Sequence, residues 1–484
     1  MDLLYKSAFA IADAIREQQI SAREVLEFFL DRVEQHNPKL NAVVALDVER
    51  ARERADAADA AAARGDNWGP LHGVPLTIKD ALATEGLVTV GGIPECQDNV
   101  PSENAVSVQR YVDAGAIVFG KTNVPFMSAD LQSYNEIYGT TNNPWNTDRT
   151  CGGSSGGAAA SVAAGLTPLE LGSDSGGSIR TPSHFNGVFG HKPSYNIIPQ
   201  RGHLPPGDNT LSEGDLSVVG PIGTCVDDLE KALDILVGPG PEEALAWSIQ
   251  LPPACTTNPA ELRIAVWCND PTFPVDEDIQ AAITAAAKSL QDAGASVSWD
   301  THPEFSMEAH HSNYAYLLFG VMGAGMPEEV YAMARAALDE ADPADNSMRM
   351  QQMRGIAQSH RDWLKQNEKR LHYRATWTKF FADYDVLFCP CASVPAFEHD
   401  HEPDIHARTL MINGEQRPYL DVIGWAGVTL NSYLPATAVP VGLSRDGLPL
   451  GMQVVAPYLE DKTSLAVAKM LEQHHRAFQP PPGY

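Results

Sequence analysis

Two Gly-Gly-Ser clusters hold the residues best suited to chemistry. The first is Thr150-Cys151-Gly152-Gly153-Ser154-Ser155-Gly156-Gly157 and the second is Asp174-Ser175-Gly176-Gly177-Ser178-Ile179-Arg180. Glycine suits loops whose backbone approaches a ligand closely or takes positive φ. Serines held in such loops are candidate nucleophiles, and consecutive N–H groups there can form an oxyanion hole. The plainer reading is a flexible Gly/Ser linker. Two features oppose it. The clusters bracket residues 158–165, an Ala-rich stretch apolar on every face, as a buried helix is. A linker also has no use for Asp174 and Arg180 at its far end.

A serine nucleophile needs a base. No Gly-x-Ser-x-Gly elbow surrounds Ser178, and no histidine is close in sequence on a comparable loop, although a histidine distant in the chain would serve as well. Lys79 is the better candidate. It sits in Gly73-Val74-Pro75-Leu76-Thr77-Ile78-Lys79-Asp80, an apolar, β-rich run that predicts a partly buried position at or near a strand end. Burial disfavours the ammonium form and leaves a neutral amine free to act as a base. The bland reading of the same segment is a strand-end lysine paired with Asp80.

Lys79, Ser154 and Ser178, in this order and these surroundings, resemble the amidase signature family. The resemblance covers roughly residues 5–240 and 408–484 and is weakest between about 241 and 405. It implies a Ser–Ser–Lys triad. Ser178 is then the nucleophile, and Ser154, in a position often preceded by a cis peptide, bridges it to Lys79. It also implies an oxyanion hole made by the backbone N–H groups of Ser175, Gly176, Gly177 and Ser178. Asp174 and Arg180 would hold that loop in shape, with Ser155 in the same network. The chain departs from the usual pattern at Ser173-Asp174-Ser175, where Thr-Asp-(Thr/Ile) is common, and at Lys79-Asp80-Ala81, where Lys-Asp-Asn is common. Neither departure touches the three triad side chains.

The elements that must position these residues are legible in outline. Helical spacing runs from Ser7 through Ile20. Ser21-Ala22-Arg23-Glu24 is a capping box opening a second helix to about His36, and residues 48–64 read as a third. Gly115-Ala116-Ile117-Val118-Phe119-Gly120-Lys121-Thr122 matches the phosphate-loop pattern Gly-x4-Gly-Lys-Thr. Its intervening residues form a buried-strand run, however, and Pro125 interrupts any helix after it. Gly115 reads instead as the cap of a helix over about 104–114. Residues 169–172 read as a short strand into the Ser178 loop. A helix follows at about 226–237 and a linker at 238–260. Then come a strand at 263–267, a helix at 276–293 and a strand at 295–299, a β-α-β order.

Residues 303–382 read as mainly helical, with Tyr314, Tyr316, Phe319 and Met322 as candidate walls of a substrate pocket. His399 and His401 lie among carboxylates, but alternate residues on a loop are poorly preorganised for a metal, and the same holds for His310-His311. Asn413-Gly414 signals a type I′ hairpin. Residues 434–455 supply strands that close the sheet, and a last helix covers about 461–474. The fold expected is α/β with a large mixed β-sheet covered by helices on both faces, the amidase signature fold. Length alone allows about three domains. The resemblance implies one, residues 1–484, with a catalytic core at about 65–240 and a variable, mainly helical pocket segment at about 300–385.

Composition narrows the function classes. Lysine and arginine total 34 and aspartate and glutamate 62, a net charge of −28, which disfavours nucleic acid or an anionic membrane as a partner. Seven cysteines give no disulfide framework and no Cys-x-x-Cys pair, which suits the cytoplasm. No run reaches the ~20 apolar residues of a membrane span. The resemblance implies an amide hydrolase that needs no metal and no organic cofactor, takes a small-molecule amide and leaves room for a homodimer. Two alternatives stay open: the glutamine-amidotransferase subunit of a transfer-RNA-charging complex, and an ester or carbamate hydrolase on the same site.

Overall fold

The computed structural model describes residues 3–204, 211–342 and 344–484. Helix α1 (Ala8–Arg16) stops short of Ile20, because Gln18 takes a positive φ of 55°. Helix α2 (Ala22–Leu40) opens on the expected capping box. Glu24 N donates to Ser21 Oγ at 3.1 Å and Ser21 N donates to Glu24 Oε2 at 2.9 Å. Strand β1 (Val43–Leu46) and helix α3 (Val48–Ala63) follow. Strand β2 (Pro75–Lys79) is buried throughout and ends on the candidate base. After α4 (Val106–Asp113), Gly115 takes φ +100° one residue past the cap, and β3 (Ile117–Thr122) begins. The phosphate-loop look-alike is thus a strand. Lys121 is buried and donates to Leu82 O at 2.5 Å and Thr84 Oγ1 at 2.9 Å.

The Ala-rich stretch is helix α5 (Gly156–Ala163), with all its residues buried. It leads to β4 (Leu169–Asp174), α6 (Arg180–Asn186), β5 (Phe189–Lys192), β6 (Val218–Gly223) and α7 (Val226–Leu236). The β-α-β unit is β7 (Arg263–Val266), α8 (Glu277–Asp292) and β8 (Ser296–Ser298), with its two strands parallel. Four helices follow: α9 (Met307–Gly323), α10 (Glu328–Glu340), α11 (Met348–Ile356) and α12 (His360–Asp383). Then come β9 (Val386–Pro390), α13 (Ile423–Leu430), β10 (Ala436–Leu443), β11 (Pro449–Val455) and α14 (Asp461–His474). The hairpin of Thr409–Ile412 and Glu415–Pro418 turns at Asn413 and Gly414, both at positive φ as a type I′ turn requires.

Eight strands form one mixed sheet in the order β8-β7-β9-β11-β10-β5-β6-β4. A second sheet, β1-β3-β2, abuts its edge, with β2 packed against β4. The register of parallel β2 and β3 sets Lys79 opposite Thr122. Helices α7, α8 and α14 pack on one another over the large sheet, and α5 and α6 pack together against β4, β5 and β10. The mixed sheet is therefore covered by helices, the architecture expected from the sequence. No described helix is long and apolar enough to cross a membrane.

His310 and His311 are buried on α9, not placed in a loop. His310 stacks on Phe305 at 4.5 Å and His311 meets the edge of Phe273 at 4.6 Å. His401 stacks on Tyr134 at 3.8 Å.

One buried carboxylate ties the first helix to α7. Asp228, on α7 and 0% exposed, accepts from Ser7 Oγ at 2.5 Å and from Ala8 N at 2.8 Å, so it caps α1 from outside. Asp228→Ala strands both donors and should cost about 1–3 kcal/mol. Ser7→Ala, which strands less, should cost less. Urea unfolding of the two variants checks the order.

Candidate active site

Three loops converge where β2 packs against β4. Strand β2 delivers Lys79, the turn before α5 delivers Ser154, and the loop between β4 and α6 delivers Ser178. Lys79 Nζ donates to Ser154 Oγ at 2.6 Å and to Ser173 Oγ at 2.9 Å. The Gly153–Ser154 peptide is cis. A Cβ on Gly153 would lie 2.6 Å from Gln132 N and 2.7 Å from Asp130 O, so the close approach of that segment excludes any other residue. Ser155 laces the serine loops together. Its N–H donates to Ser178 O at 3.1 Å, and its hydroxyl donates to Ser173 O at 3.2 Å.

Water is excluded progressively along this line. Ser178 is 7% exposed, Ser154 2% and Lys79 0%. Burial brings the Lys79 amine down to about 7, against the opposing pull of Asp174 and Glu170. Asp80 is not its partner. Burial pushes the Asp80 carboxyl up to about 7, and the cation that opposes this shift is Lys121. The strand-end ion pair expected in the plain reading of this segment therefore does not form, and Lys79 is left among hydroxyls. The bond between the Ser154 and Ser178 hydroxyls is not made in this resting geometry; such bonds commonly tighten when substrate binds.

The Ser178 loop is shaped from beneath by Asp174 and Arg180. Arg180 Nε and Nη2 each lie 3.0 Å from one Asp174 oxygen, a two-pronged pair with both side chains fully buried. Arg180 Nη1 donates to Thr429 Oγ1 and Gln453 Oε1, each at 2.7 Å. Asp174 also accepts from Gly177 N at 2.8 Å and Ile179 N at 3.1 Å. Burial alone would raise the Asp174 carboxyl, but the adjacent guanidinium brings it down to about 2. Gly177 has φ +102°, and a Cβ there would lie 2.8 Å from Thr181 Oγ1. The Gly177 N–H, expected in the oxyanion hole, is therefore turned to Asp174. The N–H groups of Ser175, Gly176 and Ser178 meet no acceptor among the described residues.

Of the four expected pocket walls, Tyr314 reaches this loop, donating to Ser175 O at 2.9 Å. Phe319 packs instead with Ala334 and Ile356, and the Tyr316 carbonyl accepts from Gln358. A groove of about 460 Å³ lined by Leu371, Arg374, Trp377, Phe381 and Tyr458 contains none of the three triad side chains. Two residues at the site were not singled out from sequence. Ser173 stands beside Lys79, and His203 Nε2 stands 2.7 Å from Ser173 Oγ. Ser173 was visible as a departure from a common pattern; no local signal marks His203.

The family model Amidase matches residues 24–465, and the chain belongs to that family. It is 31% identical over 496 residues to a Glutamyl-tRNA(Gln) amidotransferase subunit from Synechococcus sp. (strain CC9902), covering 98% of this chain and 97% of that one. It is also 31% identical over 473 residues to an indoleacetamide hydrolase of Bradyrhizobium diazoefficiens, covering 96% and 86%. Among solved structures, a bacterial aryl acylamidase of the amidase signature family superposes with a TM-score of 0.80. That match is 28% identical and covers 98% of this chain and 97% of the other.

The Asp174–Arg180 pair yields a stability prediction. Asp174→Asn leaves a buried guanidinium without its charge partner and should cost about 3–5 kcal/mol. In the native chain the carboxyl lies at about 2, below its usual 3.8. Its stabilising contribution is thus complete above about pH 4 and is lost as pH falls toward 2. Asp174→Asn should remove that part of the acid-unfolding profile, as read by circular dichroism.

Proposed function

We propose that this chain hydrolyses carboxylic amides through an acyl-enzyme on Ser178. The observation that carries the reading is a fully buried lysine, poised near neutrality and hydrogen-bonded to Ser154. Neutral Lys79 takes the proton of Ser154, Ser154 takes that of Ser178, and the Ser178 oxygen attacks the amide carbonyl. The N–H groups of Ser175, Gly176 and Ser178 receive the developing oxyanion. The proton returns through Ser154 to the leaving nitrogen, which is otherwise too basic to depart. Water then enters by the same relay and releases the carboxylate. The step needs no redox change.

The chain acts on this reading as one amidase unit without organic cofactor, on a small-molecule amide, in the cytoplasm. Its seven cysteines form no disulfide among the described residues, which supports a reducing compartment. The similarity to an amidotransferase subunit favours a second reading, in which glutamine is the amide and a partner protein takes the ammonia. Ammonia and amine release from aliphatic, aryl, cyclic and glutamine amides, with no partner added, separates the two. Turnover of simple amides supports the free-standing hydrolase; silence on all but glutamine supports the second reading.

Ser178→Ala should lower kcat at least ~10³-fold, and adding Lys79→Ala should cost little more, because residues of one relay fail as a unit. Undiminished hydrolysis by Ser178→Ala would overturn the assignment. Activity should also depend on the neutral amine. Below about 7 the Lys79 ammonium has no lone pair, so kcat/KM should fall on the acid side with its midpoint near that value and reach a plateau above it.

A further inference from the structure

We propose that His203 is a positioning residue for the base: acting through the Ser173 hydroxyl, it keeps the Lys79 lone pair turned toward Ser154. This rests on the acyl-enzyme reading and names a residue that reading does not include.

The geometry is a continuous chain. His203 Nε2 is 2.7 Å from Ser173 Oγ, Ser173 Oγ is 2.9 Å from Lys79 Nζ, and Lys79 Nζ is 2.6 Å from Ser154 Oγ. A serine hydroxyl has one proton to give, and a neutral lysine amine has two N–H bonds and one lone pair. With its Nε2 unprotonated, His203 accepts the Ser173 proton. Ser173 then presents its lone pairs to Lys79 and accepts one N–H, which frees the amine lone pair for the Ser154 proton. Without His203, Ser173 can turn its proton onto Lys79. That bond consumes the lone pair, and the base is blocked although its charge state is correct.

The histidine is held for this task by the segment that continues from the lysine. Leu82 pairs with His203 in an antiparallel bridge. Ala83 N donates to Gly202 O at 2.9 Å, and Leu204 N donates to Ala81 O at 2.6 Å. Residues 202–204 are thus registered against residues 81–83, just beyond Lys79. The carboxylates acting on Lys79 are Asp174 and Glu170, both on β4, the strand that also carries Ser173.

The test is steady-state hydrolysis of the best amide across the acid limb, using full-length variants. His203→Ala should lower plateau kcat roughly tenfold or more with KM nearly unchanged, a part of the effect a positioned base supplies. The acid limb should move to lower pH at the same time. The ammonium loses a polarised acceptor, and the neutral amine gains a donor. Ser173→Ala removes the hydroxyl that would block the amine, so it should cost less plateau kcat than His203→Ala, and the double variant should behave as Ser173→Ala alone, because the histidine acts through that hydroxyl. Ser173→Thr and His203→Gln, which keep a hydroxyl and an acceptor, should restore both plateau and limb.

A lowered melting temperature with kcat and limb unchanged in His203→Ala would overturn the proposal. So would independent, multiplying losses in the double variant. If His203→Ala does not fold, failure of both conservative variants to preserve the limb overturns it equally. Retained turnover in Ser178→Ala would instead sink the acyl-enzyme reading itself, so the two failures are distinct.

Discussion

The removal of water from the Lys79 amine is the constraint on which the site depends. Taking an ammonium out of water costs several kcal/mol unless a counter-charge compensates it. The chain treats its buried cations differently. Arg180 is met by the two oxygens of Asp174 and stays charged, as a guanidinium must. Lys79 is met by two hydroxyls, those of Ser154 and Ser173, which satisfy hydrogen bonds without supplying charge. Its neutral form is favoured for that reason. Asp174 is close enough to oppose the shift, but its oxygens are already committed to Arg180 and to the N–H groups of Gly177 and Ile179. One carboxylate thereby shapes the Ser178 loop without converting Lys79 into an ion-pair lysine.

Strand order supplies the distances. Parallel pairing of β2 with β3 buries Lys79 at a strand end, and packing of β2 on β4 brings Ser173 and Asp174 beside it. The antiparallel partner of β4 is β6, whose Val218 lies opposite Asp174. Helix α5 packs on β4 and against the end of β3, and its small residues permit this. A Cβ on Gly157 would sit 2.4 Å from Asn123 N. The all-apolar composition that argued against a linker is the composition this close packing requires.

Most of the fold that positions the site was legible because it obeys local rules. The Ser21 box, the β-rich run into Lys79, the buried helix after Ser155 and the Asn413-Gly414 hairpin each carry their own signal. What sequence left open or misplaced falls where tertiary contacts decide. Asp80 is adjacent to Lys79 in sequence, but successive strand residues point to opposite faces, and Asp80 answers to Lys121 instead. Gly177 looks like an oxyanion donor until Asp174 is seen to accept its N–H. In sequence His310 and His311 read like the loop residues His399 and His401, yet both are buried on α9. Their aromatic neighbours come from residues 273, 305 and 373, far apart in the chain. His203 is set beside Ser173 by a bridge to Leu82, a pairing between distant parts of the chain, and nothing local announces it.

The middle of the chain, read from sequence as its least family-like part, packs differently from the residues around the site. Helix α10 buries Ala334, and α11 buries Gly355 and Ile356, whereas every residue of α5 is buried. Helix α11 packs closely on α9 and α10 on α11, so a substitution on their exposed faces leaves the large sheet intact. Helix α9 is the exception. It carries Tyr314, whose hydroxyl holds the Ser175 carbonyl and so touches the loop that bears Ser178. Its ring also fills the space a side chain at Gly427 would need, 2.5 Å from a Cβ there. Chemistry and the variable segment meet at that tyrosine. The helices around it pack chiefly on one another, whereas Lys79 and its two hydroxyls are held by β2, β4 and the turn before α5.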